Sequence, residues 1–264
     1  MKLLHLITIL IILLFAACES SYNDDSEKSN EIKYPETNTA VTNNQIKVGI
    51  YVYDYPFSYL SNNTINGFDY DLISEVARLS ELTIKFMPMQ FENLIPLLQE
   101  NKIDAAIAGM TITEDRKKLI DFSDKYYTST QAILIKKSSN LKTFNDLKGK
   151  TLGVIRGTIS YTIISTNKDI IVKRFDNCGS ALLSLKVDKL DATMFDKVTC
   201  DYYLRYDDNI RLLDGLDYPQ EDYGIAVSKG NYALLNTINE SLNQIMTNGF
   251  YDGLLSKYFD TNLF

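Results

Sequence analysis

Three short runs of this chain carry groups suited to holding a small charged molecule. Gly109-Met110-Thr111 offers a hydroxyl beside a glycine, and Arg156-Gly157-Thr158-Ile159-Ser160 offers a guanidinium, two hydroxyls and the N–H groups of a turn. Asp196 adds a carboxylate. Donors and a guanidinium suit an anion and a carboxylate suits an ammonium, so the set could hold both ends of a zwitterion. Arg116 is a further cation, but within Thr113-Glu114-Asp115-Arg116-Lys117-Lys118 its surroundings alone read as a solvated position on a short capped helix. Catalysis has less to work with. The single histidine is His5, in an N-terminal apolar run expected to be removed, which excludes Ser-His-Asp and Cys-His chemistry and histidine metal sites. Gly149-Lys150-Thr151 imitates the end of a phosphate-binding loop, but no glycine stands five residues earlier and a strand pattern follows. No catalytic residue, cofactor or metal is expected.

The elements that must position these runs occur twice. Leu98-Gln99-Glu100-Asn101-Lys102-Ile103-Asp104-Ala105-Ala106-Ile107 can be laid over Leu185-Lys186-Val187-Asp188-Lys189-Leu190-Asp191-Ala192-Thr193-Met194. Each reads as a helix end, a turn at Asn101 or Asp188, and a short buried strand. Upstream, Val48-Gly49-Ile50 and Leu152-Gly153-Val154 are equivalent apolar first strands. Leu72, Ile73, Val76 and Leu79 share a helical face, Thr83–Met87 alternates as a strand, and Pro96 is expected in the first turn of a helix over 94–99. Alternating strands and helices predict an α/β fold of two parallel-sheet lobes. Gln131-Ala132-Ile133-Leu134-Ile135 and Gly224-Ile225-Ala226-Val227 read as strands crossing between the lobes, a two-strand hinge that defines a cleft. Ligands of such sheets bind beyond the carboxyl ends of the strands, where the three runs fall.

The N-terminus has a different character. Met1-Lys2, an apolar Leu3–Phe15 and Ala16-Ala17-Cys18 form the order of a secretory signal, and the apolar run is below the roughly 20 residues that span a bilayer. Leu14-Phe15-Ala16-Ala17-Cys18 resembles a bacterial lipobox, so Cys18 is the expected lipidation site and lipid anchor. The expected organisation is a signal peptide over 1–17, a lipidated Cys and flexible tether over 18–45, lobe 1 over 46–130 plus 226–264, and lobe 2 over 131–225. The product is expected to be exported and held at the outer face of the cytoplasmic membrane or in the periplasm. The chain has 27 basic against 34 acidic residues, a net charge of −7, and loss of Lys2 makes it more negative. That balance argues against a nucleic-acid partner. Cys178 and Cys200 could pair in an oxidising compartment or remain two buried thiols.

Gly67-Phe68-Asp69-Tyr70-Asp71-Leu72, the run from Gly109 to Lys118, Asp121-Phe122-Ser123-Asp124-Lys125-Tyr126-Tyr127, and the ending Gly249-Phe250-Tyr251-Asp252 with Lys257-Tyr258-Phe259 resemble the family 3 extracellular solute-binding proteins of ABC amino-acid importers. The resemblance covers essentially all of 46–264. It implies the type II periplasmic-binding-protein-like fold, a free amino acid as ligand, an ABC permease as partner, and action as a monomer without enzymatic turnover. By the same resemblance Arg116 clamps the ligand α-carboxylate, helped by Thr111, the Thr158 hydroxyl and the Ile159 N–H. Asp196 takes the α-ammonium with the Gly109 carbonyl, and Phe91 and Phe57 wall the cleft. The sequence departs from the family in its first loop. Asp54 stands where an aromatic is usual, and Tyr51 lies near a common acidic position. Asp54 facing the cleft would favour a cationic ligand side chain and Arg156 an anionic one, so Asp54, Arg156 and Tyr51 are candidate selectivity residues that leave the side-chain class open. A surface turn is the expected home of Asp54. The alternatives are an enzyme resembling the cyclohexadienyl dehydratases, or an amino-acid sensor, on the same scaffold.

Overall fold

The first strand, β1 (Gln45–Ile50), ends in the buried Val48-Gly49-Ile50 run, in a computed structural model that describes residues 44–259. The expected signal peptide, Cys18 and nearly all of the tether lie outside the described residues. A three-stranded meander follows: β2 (Tyr53–Asp54), β3 (Ser58–Ser61) and β4 (Thr64–Asn66). Helix Phe68–Leu79 turns Leu72, Ile73 and Val76 inward, as its apolar spacing predicts. Next come β5 (Thr83–Pro88), helix Phe91–Gln99, β6 (Ala105–Ile107), the one-turn helix Glu114–Lys117 and β7 (Ile120–Ser129). Thr130 alone separates β7 from β8 (Gln131–Lys136). The second lobe continues with β9 (Thr151–Ile155), helix Ile159–Ser165, β10 (Ile171–Phe175), helix Cys178–Lys186, β11 (Ala192–Asp196), helix Lys197–Tyr206 and β12 (Ile210–Leu212). The chain returns through β13 (Glu221–Ser228) and ends its described part in helices Tyr232–Thr247 and Phe250–Phe259.

The two large sheets have strand orders β5-β1-β6-β13-β7 and β10-β9-β11-β8-β12. The strands of the repeated units are parallel, as the alternation predicts: β1 with β5 and β6, and β9 with β10 and β11. The strands that cross between lobes add antiparallel edges, β13 against β6 and β7 and β8 against β11 and β12. A direct crossing cannot make the long detour a parallel pairing needs, so it enters each sheet from the opposite end. β13 belongs wholly to the first sheet, and the boundary expected between 225 and 226 falls inside it. Where the chain crosses, the Thr130 hydroxyl donates to the carbonyls of Tyr218 (2.9 Å) and Pro219 (3.2 Å), tying the two crossings side by side.

The internal repeat recurs as matched local devices. A Cβ at Gly49 would come within 2.7 Å of Ile103 and 2.8 Å of Leu94, and one at Gly153 within 2.5 Å of Leu190. In both lobes the first strand therefore lies directly under the residues of the repeat. Asn101 (φ 53°) and Asp188 (φ 59°) both turn the chain in the left-handed region, which Asn and Asp tolerate better than most side chains. Asp104 then accepts the Lys47 N–H (2.7 Å), and Asp191 accepts the Thr151 N–H (2.8 Å). One expectation shifts: the helix carrying Pro96 starts at Phe91, so Pro96 lies in its interior rather than in its first turn. The missing N–H forfeits one helical bond in a helix whose Leu94 and Leu98 are fully buried.

Apolar burial divides in three. One cluster, with Phe68, Leu72, Ile225 and Ile238, fills the first lobe. A second, with Ile133, Leu152, Val154 and Met194, fills the second lobe. The third joins Tyr51, Phe91 and Leu94 of the first lobe to Ile155, Cys178 and Phe195 of the second. That shared cluster sits where the carboxyl ends of the parallel strands of both sheets face one another.

Candidate functional site

The site starts at the end of β6. Gly109 has a left-handed φ of 55°, and its N–H is fixed by Asp69 (2.8 Å) and the Tyr126 hydroxyl (3.1 Å). Asp69 lies in the first turn of helix Phe68–Leu79 and is fully buried, and burial pushes its carboxyl up to about 7. This anchor holds the loop Gly109–Thr111 against the cleft. Thr113 caps the helix Glu114–Lys117 by accepting the Arg116 N–H (3.2 Å), and the single turn brings Arg116 back over the loop it follows. The guanidinium donates to the Thr111 carbonyl (2.7 Å) and, across the cleft, to the Gly157 carbonyl (3.1 Å). It lies over the Phe91 ring, 5.4 Å from the centroid. Only 9% of Arg116 is exposed, so the solvated position expected from its neighbours alone is not what the fold makes of it. Burial lowers its pKa to about 10, against the opposing pull of Asp196 and Glu221, and it stays cationic at neutral pH.

The opposite wall comes from the second lobe. Asp196 ends β11 at the N-cap position of helix Lys197–Tyr206, but its side chain does not cap the helix. It accepts instead from the Gln131 amide, which also donates to Glu221 (3.1 Å), while Ser160 donates to the Gln131 carbonyl oxygen. Thr111 reaches the same Glu221 oxygen through its hydroxyl (3.3 Å). Burial pushes Asp196 up to about 8, with Asp54 and Glu221 adding like-charge repulsion. Thr158 donates its hydroxyl to the Ile155 carbonyl (2.8 Å) and, with Ile159, borders the cleft.

Of the residues singled out from the sequence, Arg116, Asp196, Thr111, Gly109, Thr158, Ile159, Phe91, Tyr51 and Asp54 line one narrow cleft between the lobes. Its water-accessible volume is about 30 Å³, room for roughly two waters, so the lobes stand closed on each other. Two candidates lie elsewhere. Phe57 is fully buried among Phe68, Tyr127, Tyr223 and Phe259, a core residue of the first lobe rather than a wall of the cleft. Its carbonyl accepts the Asp69 N–H (2.9 Å), which holds this segment against the helix start. Arg156 turns outward to pair with Asp176 (2.8 Å), since the turn at Gly157 sends the neighbouring Thr158, not Arg156, to the cleft. Asp54 is the reverse case. It is not on a surface turn; it is 8% exposed and accepts from Thr199 of the second lobe (2.8 Å). Tyr51 likewise spans the lobes, its hydroxyl donating to the Asp176 carbonyl (2.8 Å). Cys178 and Cys200 are free and buried.

Sequence reasoning missed Gln131, Glu221 and Thr199. Gln131 and Glu221 had a signal: each is the polar first residue of a crossing strand with an apolar middle. Thr199 had none beyond standing one helical turn after Asp196.

The family model of the bacterial extracellular solute-binding proteins, family 3, matches residues 46–261. The chain is 35% identical to the glutamine-binding protein GlnH of a Bacillus subtilis ABC transporter, over 97% of this chain and 95% of that protein. It is 31% identical to an L-arginine-binding protein of Pseudomonas aeruginosa, over 86% of this chain and 92% of that protein. Among solved structures, an ancestral arginine-binding protein bound to arginine superposes with a TM-score of 0.78 at 38% identity, over 82% of this chain and 99% of that one. These relatives are binding proteins, and the similarity spans both lobes and the crossings between them. The chain belongs to the bacterial extracellular solute-binding proteins, family 3.

Proposed function

We propose that this protein captures a free amino acid between its lobes and presents it to the permease of an ABC importer. The observation that carries this reading is the placement of one buried cation, Arg116, on the first lobe's wall and one half-buried carboxylate, Asp196, on the second lobe's wall of the same cleft. A zwitterion matches that pair. Its carboxylate would take the Arg116 donor now spent on the Gly157 carbonyl, with Thr111, Thr158 and Ile159 beside it. Its ammonium would lie between Asp196 and the Gly109 carbonyl. Both charges lose water on closure, so each needs its partner. Entry requires the lobes to part about the crossings at Thr130 and Tyr218-Pro219, which breaks the contacts of Arg116 with Gly157, Asp54 with Thr199 and Tyr51 with Asp176. In this reading 1–17 is a signal peptide, Cys18 carries the lipid anchor, the tether suspends the lobes outside the cytoplasmic membrane, and a monomer does the work.

The test is a thermal-shift screen of protein unfolded and refolded to remove bound ligand, scanned against the common amino acids. The chain has no Trp, so a dye or calorimetry must report. A ligand at about 100 times its Kd adds about 2.7 kcal/mol, a shift of roughly 5–10 °C for a protein of this size. A shift with one chemical class supports the reading. No shift with any amino acid rejects it.

A further inference from the structure

We propose that the cleft selects an amino acid with a cationic side chain, and that Asp54 is the residue that selects it. The inference rests on the amino-acid reading above and adds the side-chain class. Among the described residues, three carboxylates, Asp54, Asp196 and Glu221, line the cleft or bond to side chains bordering it, with Asp69 buried behind Gly109, while Arg116 is the one basic side chain lining it. The other nearby bases are occupied outside: Arg156 pairs with Asp176, and Lys197 pairs with Asp201. A zwitterionic backbone brings one positive and one negative charge and leaves this acidic excess unchanged. Where these acids are ionised, a cation on the ligand's side chain offsets it.

The three acids differ in what they already hold. Glu221 accepts from both Thr111 and Gln131, and Asp196 accepts from Gln131 and is matched to the ligand ammonium. Asp54 has less. Its Oδ1 accepts from the Thr199 hydroxyl (2.8 Å), and among the described residues no donor reaches Oδ2. That oxygen lies 3.8 Å from where a Cβ on Gly109 would stand, and both residues line the cleft. A buried carboxylate with a single neutral donor is under-satisfied, and a guanidinium or ammonium arriving with the ligand completes it. A carboxamide side chain could donate to Oδ2 but brings no charge, and a carboxylate side chain adds a further like charge to the cluster. Tyr51 and Phe91, packed edge to face at 6.1 Å, give the same region an aromatic wall for the aliphatic stem. On this reading Asp54 is a specificity residue placed on the first lobe and steadied by the second, so its charge is in position when the lobes close.

Calorimetric titration of the purified protein with L-arginine, L-lysine, L-glutamine and L-glutamate at neutral pH tests this, for the wild type and for Asp54→Asn. The expected order is a basic amino acid at least about tenfold tighter than glutamine, with glutamate the weakest. Asp54→Asn should weaken the basic ligand by about a hundredfold and glutamine by less than about threefold. Glutamine binding as tightly as arginine and lysine in the wild type overturns the proposal, and so does a basic ligand that binds Asp54→Asn unchanged. The wild-type ranking decides even if the variant does not fold. Binding of no amino acid at all overturns the receptor reading itself, an outcome distinct from binding of the wrong one.

Discussion

The lobes meet along two seams of opposite character. The inner seam is polar and in good part buried: Arg116 to Gly157, Asp54 to Thr199, and the Gln131 amide shared between Asp196 and Glu221. The outer seam is aromatic and only partly buried. There Tyr55 of the first lobe stacks on its neighbour Tyr59 (4.2 Å between centroids, planes 20° apart) and on Tyr202 of the second lobe (4.7 Å, 11°). The contrast separates recognition from closure. Groups of the inner seam are those a charged ligand would use, so ligand and opposite lobe compete for the same donors and acceptors. The tyrosine stack offers no charge to the ligand and favours the closed arrangement whatever sits inside.

The largest expected effect breaks the inner seam. Arg116→Ala removes the cation proposed to face the ligand carboxylate and leaves Asp196 and Glu221 without their opposite charge. Truncating one partner of a buried charge pair costs about 3–5 kcal/mol. Affinity for the preferred amino acid should therefore fall by at least about a hundredfold, read by calorimetry. Wild-type affinity in this variant would remove Arg116 from the site. Arg116→Lys should rescue little, because an ammonium cannot reproduce the planar fork.

The second effect is pH dependence, and the two seams should part here too. Burial raises Asp54 from 3.8 to about 7 and Asp196 from 3.8 to about 8, while Tyr202 of the outer seam, pushed up to about 12, is neutral throughout that range. A carboxyl whose folded pKa lies above its unfolded value binds more protons folded than unfolded, so it favours the fold at low pH and that contribution is lost as pH rises through the folded value. The melting temperature of ligand-free protein should fall between about pH 4 and about pH 8. Binding of a ligand that presents cations to the ionised carboxylates should strengthen over the upper part of the same interval. Ligand-free stability that climbs steadily across the interval would contradict the burial of these acids.

How much of this was legible in the sequence depends on the range of the interaction. The repeat was, because each unit closes on itself: Asn101 and Asp188 turn the chain, and Asp104 and Asp191 tie that turn to the first strand of the same lobe. The carboxyl ends of β6 and β11 followed, and with them Gly109, Thr111 and Asp196. Arg116 reads from its neighbours as solvated and was picked out by family resemblance alone. What buries it is the Thr113 cap, a one-turn helix and a carbonyl from the other lobe. Phe57 and Phe91 look alike in the sequence, and only the packed fold tells a ring enclosed by four aromatics from one lying under a guanidinium. Asp54 misled for the same reason, since its burial is supplied by Thr199, 145 residues away along the chain.

A smaller effect is expected at the outer seam. Tyr202→Ala removes one ring from the stack while leaving every group of the inner seam in place. An aromatic pair contributes about 0.5–1.5 kcal/mol beyond the area it buries, so the closed arrangement should lose that much, about two- to twelvefold in its population relative to the open one. Since apparent affinity scales with the closing equilibrium, each ligand should weaken by the same factor and their ranking should not change. A variant that reorders ligands would place Tyr202 in recognition and erase the division between the seams.

The smallest effect sharpens the division from the other side. Arg156 leads into the turn at Gly157, whose carbonyl receives Arg116, and the sequence offers it as a candidate for side-chain selectivity. Its guanidinium instead holds Asp176, in a pair with 38% of the Arg156 side chain and 59% of the Asp176 side chain exposed. An ion pair this open contributes about 0–1 kcal/mol and is screened by salt. Arg156→Ala should therefore change affinity by less than about fivefold, with a similar factor for anionic and cationic ligands. Asp176 also gives its carbonyl to Tyr51, so the residual effect should come through the position of that ring and persist in high salt. Selective loss of an anionic ligand would instead bring Arg156 into the ligand-bound cleft and reverse the charge balance from which the cationic preference is argued.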